Sequence, residues 1–176
     1  MLTIKRIDAE NKKDIGIPND PFTLFGRIVP SYDGMKWDYF LDRFAPEQVS
    51  EMKFPDENYD FDAMQDSIFL GAYVEDRCVG LAILQPGIFQ YMYLYDLKVS
   101  AKYRRMDIGK QLIEHSKAIA RELGYSGLYL QCQNNNAGAF LFYLKAGFYI
   151  GGLDTNVYRH TNQEDKTDIL LYCECN

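Results

Sequence analysis

Residues 91–124 read YMYLYDLKVSAKYRRMDIGKQLIEHSKAIARELG. The first part, Tyr91–Val99, is rich in Tyr, Leu and Val and predicts a β-strand, because no turn residue interrupts it before Ser100. The last part keeps its apolar residues to roughly one face and predicts a helix that begins near Ile108 and ends at Gly124. The sequence therefore predicts a strand and a helix joined by a short turn.

That turn is basic, since it carries Arg104 and Arg105 shortly before Gly109. The backbone N–H groups of a first helical turn have no intrahelical partner, and the helix dipole favours negative charge there. A basic turn at such a helix end predicts a site for a phosphate or pyrophosphate. The spacing alone is also compatible with a surface loop whose arginines are merely solvated.

A second informative stretch, residues 136–148, reads NAGAFLFYLKAGF. The asparagines before Ala137 predict a helix N-cap, and Gly147 predicts the helix end. Phe140 and Tyr143 recur at helical spacing, which by itself favours a core-facing stripe and a packed tyrosine.

Together the two stretches resemble the GNAT N-acetyltransferases. After a strand ending in Val99, Arg104 and Gly109 fit the family's loop pattern Arg/Gln-x-x-Gly-x-Gly/Ala, whereas Asp107 stands at its first Gly. The second stretch fits Asn-x-x-Ala-x-x-Phe-Tyr-x-Lys-x-Gly-Phe at each defined position. The resemblance implies an α/β (mixed α+β) fold in a single domain over residues 1–176, with a central mixed, mostly antiparallel sheet flanked by helices. It also implies acetyl-CoA as co-substrate.

The resemblance further implies roles for individual residues. Tyr143 is expected to donate a proton to the departing CoA thiolate, which suits a phenol that is protonated at neutral pH. A backbone N–H of the strand is expected to hold the thioester carbonyl oxygen. The cofactor-binding set implied by the family comprises Leu97, Lys98, Val99, Arg104, Arg105, Met106, Asp107, Ile108, Gly109, Lys110, Asn136, Ala139 and Tyr143. Within this set, Asp107 is expected either to face the pyrophosphate or to cap the helix.

The general base is less clearly indicated. Many GNAT enzymes carry Glu where this chain has Tyr95, and Asp96 follows it. Because neighbouring strand residues point to opposite faces, only one of the two is expected to face the cleft. An ion pair between Asp96 and a Lys or Arg is the alternative interpretation. Tyr91, Tyr93 and Tyr95 share a face, which predicts either packing or an aromatic wall for a cation.

A third likeness spans nearly the whole chain and resembles the streptothricin acetyltransferases. It is carried by Lys13-Asp14-Ile15, Pro18, Pro21-Phe22, Gly26, Ile28, Pro30, Tyr32, Trp37, Cys78-Val79-Gly80, Tyr93, Asp96, Gly147-Phe148, Ile150-Gly151, Asp154-Thr155 and Tyr158. It implies acetylation of the β-lysine amino group of that antibiotic, hence resistance, by direct transfer through a tetrahedral intermediate. Tyr32, Trp37 and Tyr93 are the implied substrate-binding residues. An acetyltransferase of a protein N-terminus, lysine or polyamine and a non-catalytic acyl-CoA-binding module are the alternatives.

Composition limits the partners. The net charge of -6 argues against nucleic acid and is compatible with a small cationic amine. No apolar run approaches the roughly 18 residues that span a bilayer, and the start MLTIKRIDAENKKD lacks a signal-peptide core. The four cysteines predict reduced core thiols in a cytoplasmic protein, and the two histidines have no neighbours at metal spacing. The sequence leaves open whether the chain forms a homodimer.

The remaining segments are assigned from turns and apolar runs. Residues 55–66 are dense in acid and predict a solvated loop or short helix, whereas residues 36–54 are compatible with either strand or helix. The other predicted strands are Leu2 to Ile7, residues 22–32 with interruptions at Gly26 and Pro30, a hairpin of residues 67–74 and 78–84 turning at Glu75-Asp76-Arg77, Gly127 to Cys132, Phe148 to Ile150 and Ile169 to Cys173.

Overall fold

The computed structural model describes residues 1–175 and has a mixed α/β fold, as predicted. The strands are β1 (Leu2–Arg6), β2 (Phe22–Leu24), β3 (Gly26–Tyr32), β4 (Trp37–Arg43), β5 (Ser50–Met52), β6 (Ile68–Val74), β7 (Arg77–Gln85), β8 (Tyr91–Val99), β9 (Gly127–Gln133), β10 (Tyr149–Asp154) and β11 (Asp168–Glu174). The α-helices are α1 (Ile108–Glu122) and α2 (Ala137–Lys145). Short 3-10 helices span Lys12–Gly16, Pro46–Gln48 and Ala101–Tyr103.

The chain divides into two compact units. The first consists of Met1–Asp20, Lys53–Leu128 and the C-terminal end from Glu174. Its strands follow the order β1-β6-β7-β8, and each neighbouring pair is antiparallel. Helix α1 packs against these strands.

The second unit consists of Pro21–Met52 and Tyr129–Cys173. It holds the strand order β9-β11-β10 and the antiparallel pairs β2–β5 and β3–β4. Helix α2 packs against β2 and β3. The segment 36–54, for which the sequence left strand and helix open, forms β4, a 3-10 turn and β5, because β4 pairs with β3 along its full length. Pro30 lies within β3 opposite Tyr39 and does not end the strand.

Helix α1 forms where the apolar periodicity predicted it. Its residues Ile108, Leu112 and Ile113 are almost completely buried, and Gly124 follows the helix with a φ of 86°. A left-handed residue just beyond the last turn is a common helix end, and glycine adopts it without steric cost. Gly80 in β7 has no side chain, so that Ile108 and Leu112 approach the strand closely. This contact fixes the position of the helix N-terminus against β7.

The β6–β7 hairpin turns where the sequence predicted it. Glu75 and Asp76 link the strands and have φ angles of 50° and 63°. Two successive residues with positive φ match the twist of an antiparallel pair, which explains the tight connection.

The four cysteines carry reduced thiols, and Cys132, Cys173 and Cys175 are buried. Cys78 and Cys132 lie in β7 and β9, within the strand runs predicted for them. Burial raises the pKa of the Cys78 thiol to about 11 and that of Cys132 to about 12. Over residues 1–175, none of the helices has the length and apolar character needed to cross a membrane.

Candidate functional site

Strand β8 contains a β-bulge at Tyr95. Asp96 pairs with Ile83 and Leu94 pairs with Leu84, so Tyr95 has no opposite residue in β7. A bulge inserts one residue into one strand, bends it and re-aims the side chains around it. Tyr95 is 43% exposed, whereas Leu94 beside it is buried. The bulge therefore turns a large aromatic side chain outward from an otherwise packed strand.

The bulge removes the premise that Tyr95 and Asp96 must point to opposite faces of the strand. The Tyr59 ring meets the Tyr95 ring edge-on at 6.1 Å between centroids, and the Tyr59 hydroxyl donates to Asp96 Oδ2 at 3.0 Å. One side chain thus reaches both residues. Strict alternation of strand side chains holds only for regular pairing, which the bulge interrupts.

Asp96 belongs to a cluster of charges beside β8. The Lys98 ammonium lies 3.1 Å from Asp96 Oδ2 and 2.8 Å from Glu57 Oε2. The Lys98 and Asp96 side chains are only 10% and 18% exposed, so the pair is poorly screened by water. The ion pair considered for Asp96 from the sequence is thus present, with Lys98 as its partner.

The environment of Asp96 affects its titration. Burial raises the pKa of the Asp96 carboxyl above its ordinary value of 3.8, and this outweighs the Lys98 ammonium and the Tyr59 hydroxyl, which lower it. Burial, reinforced by the Asp96 charge, also raises the pKa of the Tyr59 hydroxyl. The Tyr59 hydroxyl therefore keeps its proton and acts as a donor to the carboxylate.

Aromatic rings adjoin this charge cluster. Tyr93 and Tyr95 meet edge-to-face with centroids 5.7 Å apart, and the Lys98 ammonium lies 5.2 Å from the centroid of Tyr59. Ring faces attract cations, and an edge-to-face arrangement leaves part of each ring available. The rings are therefore packed against one another beside the charged residues, and a cation-binding role for them stays a prediction.

The segment after β8 is a 3-10 turn followed by residues with unusual backbone angles. Arg104 Nε donates to the carbonyl oxygen of Val99 at 3.2 Å, which folds the arginine back onto the strand end. Arg105 and Asp107 have φ angles of 61° and 58°, in the left-handed region that favours glycine. The family pattern has its first glycine at position 107, and this φ gives a physical reason for it.

Of the two alternatives for Asp107, the one in which its side chain caps α1 is wrong. Asp107 occupies the N-cap position, but its side chain accepts no capping hydrogen bond. A capping side chain requires an extended N-cap backbone, and the left-handed conformation directs the carboxylate elsewhere. The first-turn N–H groups of Ile108, Gly109 and Lys110 therefore have no side-chain cap from Asp107, as an anion-binding helix end requires.

Around this helix end, the predicted cofactor residues differ in exposure. Met106 and Lys110 are exposed, Gly109 is partly buried and Ile108 packs in the core. Leu97 and Val99 pair with Ala82 and Gly80 of β7. The N-terminus without a side-chain cap and the neighbouring Arg104 and Arg105 form a basic helix end of the kind that could hold a phosphate.

The second unit holds the remaining predicted cofactor residues on α2. The Asn136 side chain accepts a hydrogen bond from the Ala139 N–H at 3.2 Å, so it is the predicted N-cap. Phe140 is fully buried, whereas Tyr143 is partly buried with its ring 5.4 Å from that of Phe148. The Tyr143 ring therefore packs against Phe148 and stays partly accessible, unlike the fully buried Phe140.

Two of the predicted substrate-binding residues form an aromatic pair in the second unit. Tyr32 and Trp37 are opposite each other in β3–β4, with ring centroids 5.0 Å apart. Tyr32 is 54% exposed, so much of its ring is accessible. Tyr93, the third residue of that group, lies on β8 in the first unit.

Some residues around β8 were not identified from the sequence. Glu57 and Tyr59 come from a segment that the sequence predicts as a solvated loop or short helix, yet both contact β8 side chains. Asn19 and Asp20 bind Lys98 and the loop after β8. The only sequence signal was their position between Pro18 and Pro21. In residues 1–175, no three His, Cys, Asp or Glu side chains are grouped as a metal ion would require.

The sequence and the fold both match known proteins. The profile of the acetyltransferase (GNAT) family matches residues 33–148. Streptothricin acetyltransferase A of Bacillus subtilis (strain 168) is 28% identical over 96% of this chain and 98% of its own length. A proposed streptothricin acetyltransferase from Bacillus anthracis str. Ames, solved with acetyl coenzyme A, has a TM-score of 0.86 at 28% identity, covering 99% and 98% of the two chains. Nourseothricin acetyltransferase has a TM-score of 0.81 at 22% identity, covering 99% of each chain, and shares the fold.

Proposed function

Because this chain belongs to the acetyltransferase (GNAT) family, whose co-substrate is acetyl-CoA, we propose that it acetylates a primary amine of a small cationic acceptor, with the β-lysine amino group of streptothricin as the first candidate. The observation that carries the acceptor class is the similarity to a streptothricin acetyltransferase over 96% of the chain, which includes the N-terminal region. The acidic net charge of -6 and the aromatic and acidic residues beside β8 support a cationic acceptor.

Acetyl-CoA would be held through its phosphates at the N-terminus of α1. The supporting observations are the uncapped first turn and the two arginines before it. Asn136 and Ala139 are proposed to contribute to the cofactor site as the family resemblance implies. Backbone N–H groups at Leu97 or Val99 are proposed to hold the thioester carbonyl oxygen, which becomes an oxyanion when the amine adds.

The proposed reaction is direct transfer. The neutral amine adds to the thioester carbonyl carbon, and the new C–N bond gives a tetrahedral intermediate. The C–S bond then breaks with departure of the thiolate, and the added nitrogen loses one proton, which balances the proton that the thiolate gains. The acceptor ammonium first loses a proton, since an alkylammonium has a reference pKa of about 10.4. Asp96 is the proposed acceptor of that proton, directly or through water, and its raised pKa favours this role over that of a fully exposed aspartate.

Tyr143 is the proposed general acid that returns a proton to the thiolate. A phenol is protonated at neutral pH, and the partial burial of this ring leaves it less enclosed than the core residue Phe140. The motif around it, with Asn136, Gly147 and Phe148, supports catalysis over a non-catalytic acyl-CoA-binding module.

The test is thiol release from acetyl-CoA by the purified chain, followed with a chromogenic disulfide. Streptothricin would be compared with aminoglycosides, polyamines and free lysine at equal concentrations. Release at micromolar streptothricin, with little release for the other amines, is the expected outcome. A polyamine or lysine as the preferred acceptor would refute the streptothricin assignment and retain the enzyme class. No release with any amine, despite measurable acetyl-CoA binding, would favour the binding-module alternative.

A further inference from the structure

Asp20 binds both ends of the 3-10 helix Ala101–Tyr103, which leads into the basic turn proposed to bind acetyl-CoA (residues 104–109, the acyl-CoA loop). Its carboxylate Oδ2 accepts a hydrogen bond from the Ala101 N–H at 2.6 Å. Its backbone carbonyl oxygen accepts from Arg104 Nη2 at 3.2 Å. Ala101 is the first residue of the 3-10 helix, and Arg104 directly follows that helix. One residue from the N-terminal region thus fixes the start and the end of this turn.

Arg104 is held from two directions. Besides its bond to Asp20, its Nε donates to the carbonyl oxygen of Val99, the last residue of β8. The guanidinium therefore joins the strand end to the N-terminal region. A planar group with several donors suits such a bridging position.

The neighbouring residue Asn19 makes contacts of a different kind. Its backbone N–H donates to Asp56 Oδ1 at 2.7 Å, and its side-chain Nδ2 donates to the Pro55 carbonyl oxygen and to Glu57 Oε2, each at 2.8 Å. Its Oδ1 accepts from Lys98 Nζ at 3.4 Å. Asn19 thus anchors residues 55–66 (the acidic segment) next to the Lys98–Asp96 pair.

We propose that Asn19 and Asp20 are positioning residues for the two substrates: Asp20 holds the acyl-CoA loop, and Asn19 holds the acidic segment beside the acceptor. The inference rests on the proposed function. The dipeptide lies between Pro18 and Pro21. Proline fixes its own φ and restricts the residue before it to extended conformations, so little chain entropy is lost when these contacts form. The acyl-CoA loop and the acidic segment are thereby ordered before acetyl-CoA or the acceptor binds.

Acetyl-CoA binding by isothermal titration tests the role of Asp20 without any need for an acceptor. Asp20→Ala is expected to raise the Kd by about tenfold, as is typical when one charge-assisted hydrogen bond is lost. Asp20→Asn keeps an oxygen that can accept from Ala101 and is expected to recover most of the affinity. The matched control is Asp8→Ala, which removes a carboxylate bonded to the Glu10 N–H and is expected to leave the Kd unchanged.

The outcomes separate this inference from the proposed function. Failure of the unmodified chain to bind acetyl-CoA would refute the proposed function. Normal binding by the unmodified chain together with equal binding by Asp20→Ala would refute only the role of Asp20. Circular dichroism and thermal unfolding of each variant establish that the titrated protein is folded.

Steady-state kinetics with streptothricin test the role of Asn19. Asn19→Ala is expected to raise the acceptor KM by about tenfold with the acetyl-CoA KM unchanged, because the Asn19 amide donates to Pro55 and Glu57 of the segment proposed to lie beside the acceptor. Asn19→Asp preserves the shape but replaces the Nδ2 donor by a second carboxylate oxygen facing Glu57, so it is expected to be at least as impaired. Wild-type kinetics for Asn19→Asp, or equal changes in both KM values for Asn19→Ala, would refute the assignment.

Discussion

Replacing Asp107 by residues that suit its backbone is expected to tighten acetyl-CoA binding. Asp107 has a φ of 58° and a ψ of 6°, and its side chain makes no capping bond. Asp107 is the first residue before the helix end to which the cofactor phosphates are proposed to bind, so its charge is expected to lie near them. Two unit charges about 4 Å apart in water repel by about 1 kcal/mol. Removal of the carboxylate is therefore expected to lower the Kd by about fivefold, since 1.4 kcal/mol corresponds to tenfold.

Stability is expected to change little in the same variants. Asp107→Gly relieves a left-handed conformation but adds freedom to the unfolded chain, and each effect amounts to roughly 1 kcal/mol. Asp107→Asn keeps a side chain that tolerates this conformation and removes only the charge. Both variants lose a dipole interaction of about 0.5 kcal/mol. Affinity and stability therefore respond differently to the same substitution.

Isothermal titration of acetyl-CoA at low and at high salt would measure the effect. Asp107→Asn and Asp107→Gly should both bind more tightly, and the gain should shrink as salt screens the repulsion. Arg105→Gly is the matched control, because it relieves a φ of 61° in the same loop but removes a positive charge, and its affinity should fall. Unchanged affinity in Asp107→Asn, or a gain in Arg105→Gly, would refute the electrostatic reasoning.

Three further substitutions test other parts of the structure. Tyr143→Phe should lower kcat by about 100-fold with acetyl-CoA affinity unchanged, and unaltered turnover would exclude the proposed acid role. Lys98→Met should lower the free energy of unfolding by about 3 kcal/mol, because it leaves the poorly exposed Asp96 carboxylate without its ammonium partner. It should also raise the pKa of Asp96 further, which moves the acid limb of the kcat/KM profile to higher pH. A carboxyl whose pKa is raised by folding contributes its full stability below its ordinary pKa of 3.8 and loses that contribution as pH rises through the raised value. Urea unfolding should therefore show that Lys98→Met loses more unfolding free energy at neutral pH than at acid pH. Gly87→Ala should lower the unfolding free energy by about 3 kcal/mol in thermal melts, because the added Cβ would overlap the carbonyl oxygen of Tyr91. Gly16→Ala is the control, since a Cβ there meets no atom within 4 Å, and its melting temperature should be that of the unmodified chain.

The segments that local sequence determines were predicted well. The strand predicted at Tyr91–Val99 is β8, and the helix predicted from Ile108 ends at Glu122, two residues before the expected stop at Gly124. Both follow from periodicity and from glycine, which act over a few residues. The Asn136 cap is likewise local, because its acceptor and donor are three residues apart.

The parts that were missed depend on contacts between distant residues. The bulge at Tyr95 arises from the register of β8 against β7, which no single strand encodes. The Asn19 bond to Asp56 and the Asp20 bond to Ala101 link residues 37 and 81 positions apart. The acidic segment was interpreted as solvated because its composition is polar, whereas Tyr59 anchors it to Asp96. A pattern within one segment carries no information on such pairings.

The unpaired residue in β8 has a consequence for how acceptor preference can evolve. Since Tyr95 has no partner in β7 and is 43% exposed, exchanging its side chain breaks no pair with β7 and removes only its edge contacts with Tyr59 and Tyr93. The neighbouring residues Leu94 and Asp96 keep the pairing with β7, so position 95 is expected to vary at a small cost in folding free energy. A library randomised at this position should retain folded members of nearly every residue type, and selection on different amines could then act on it directly.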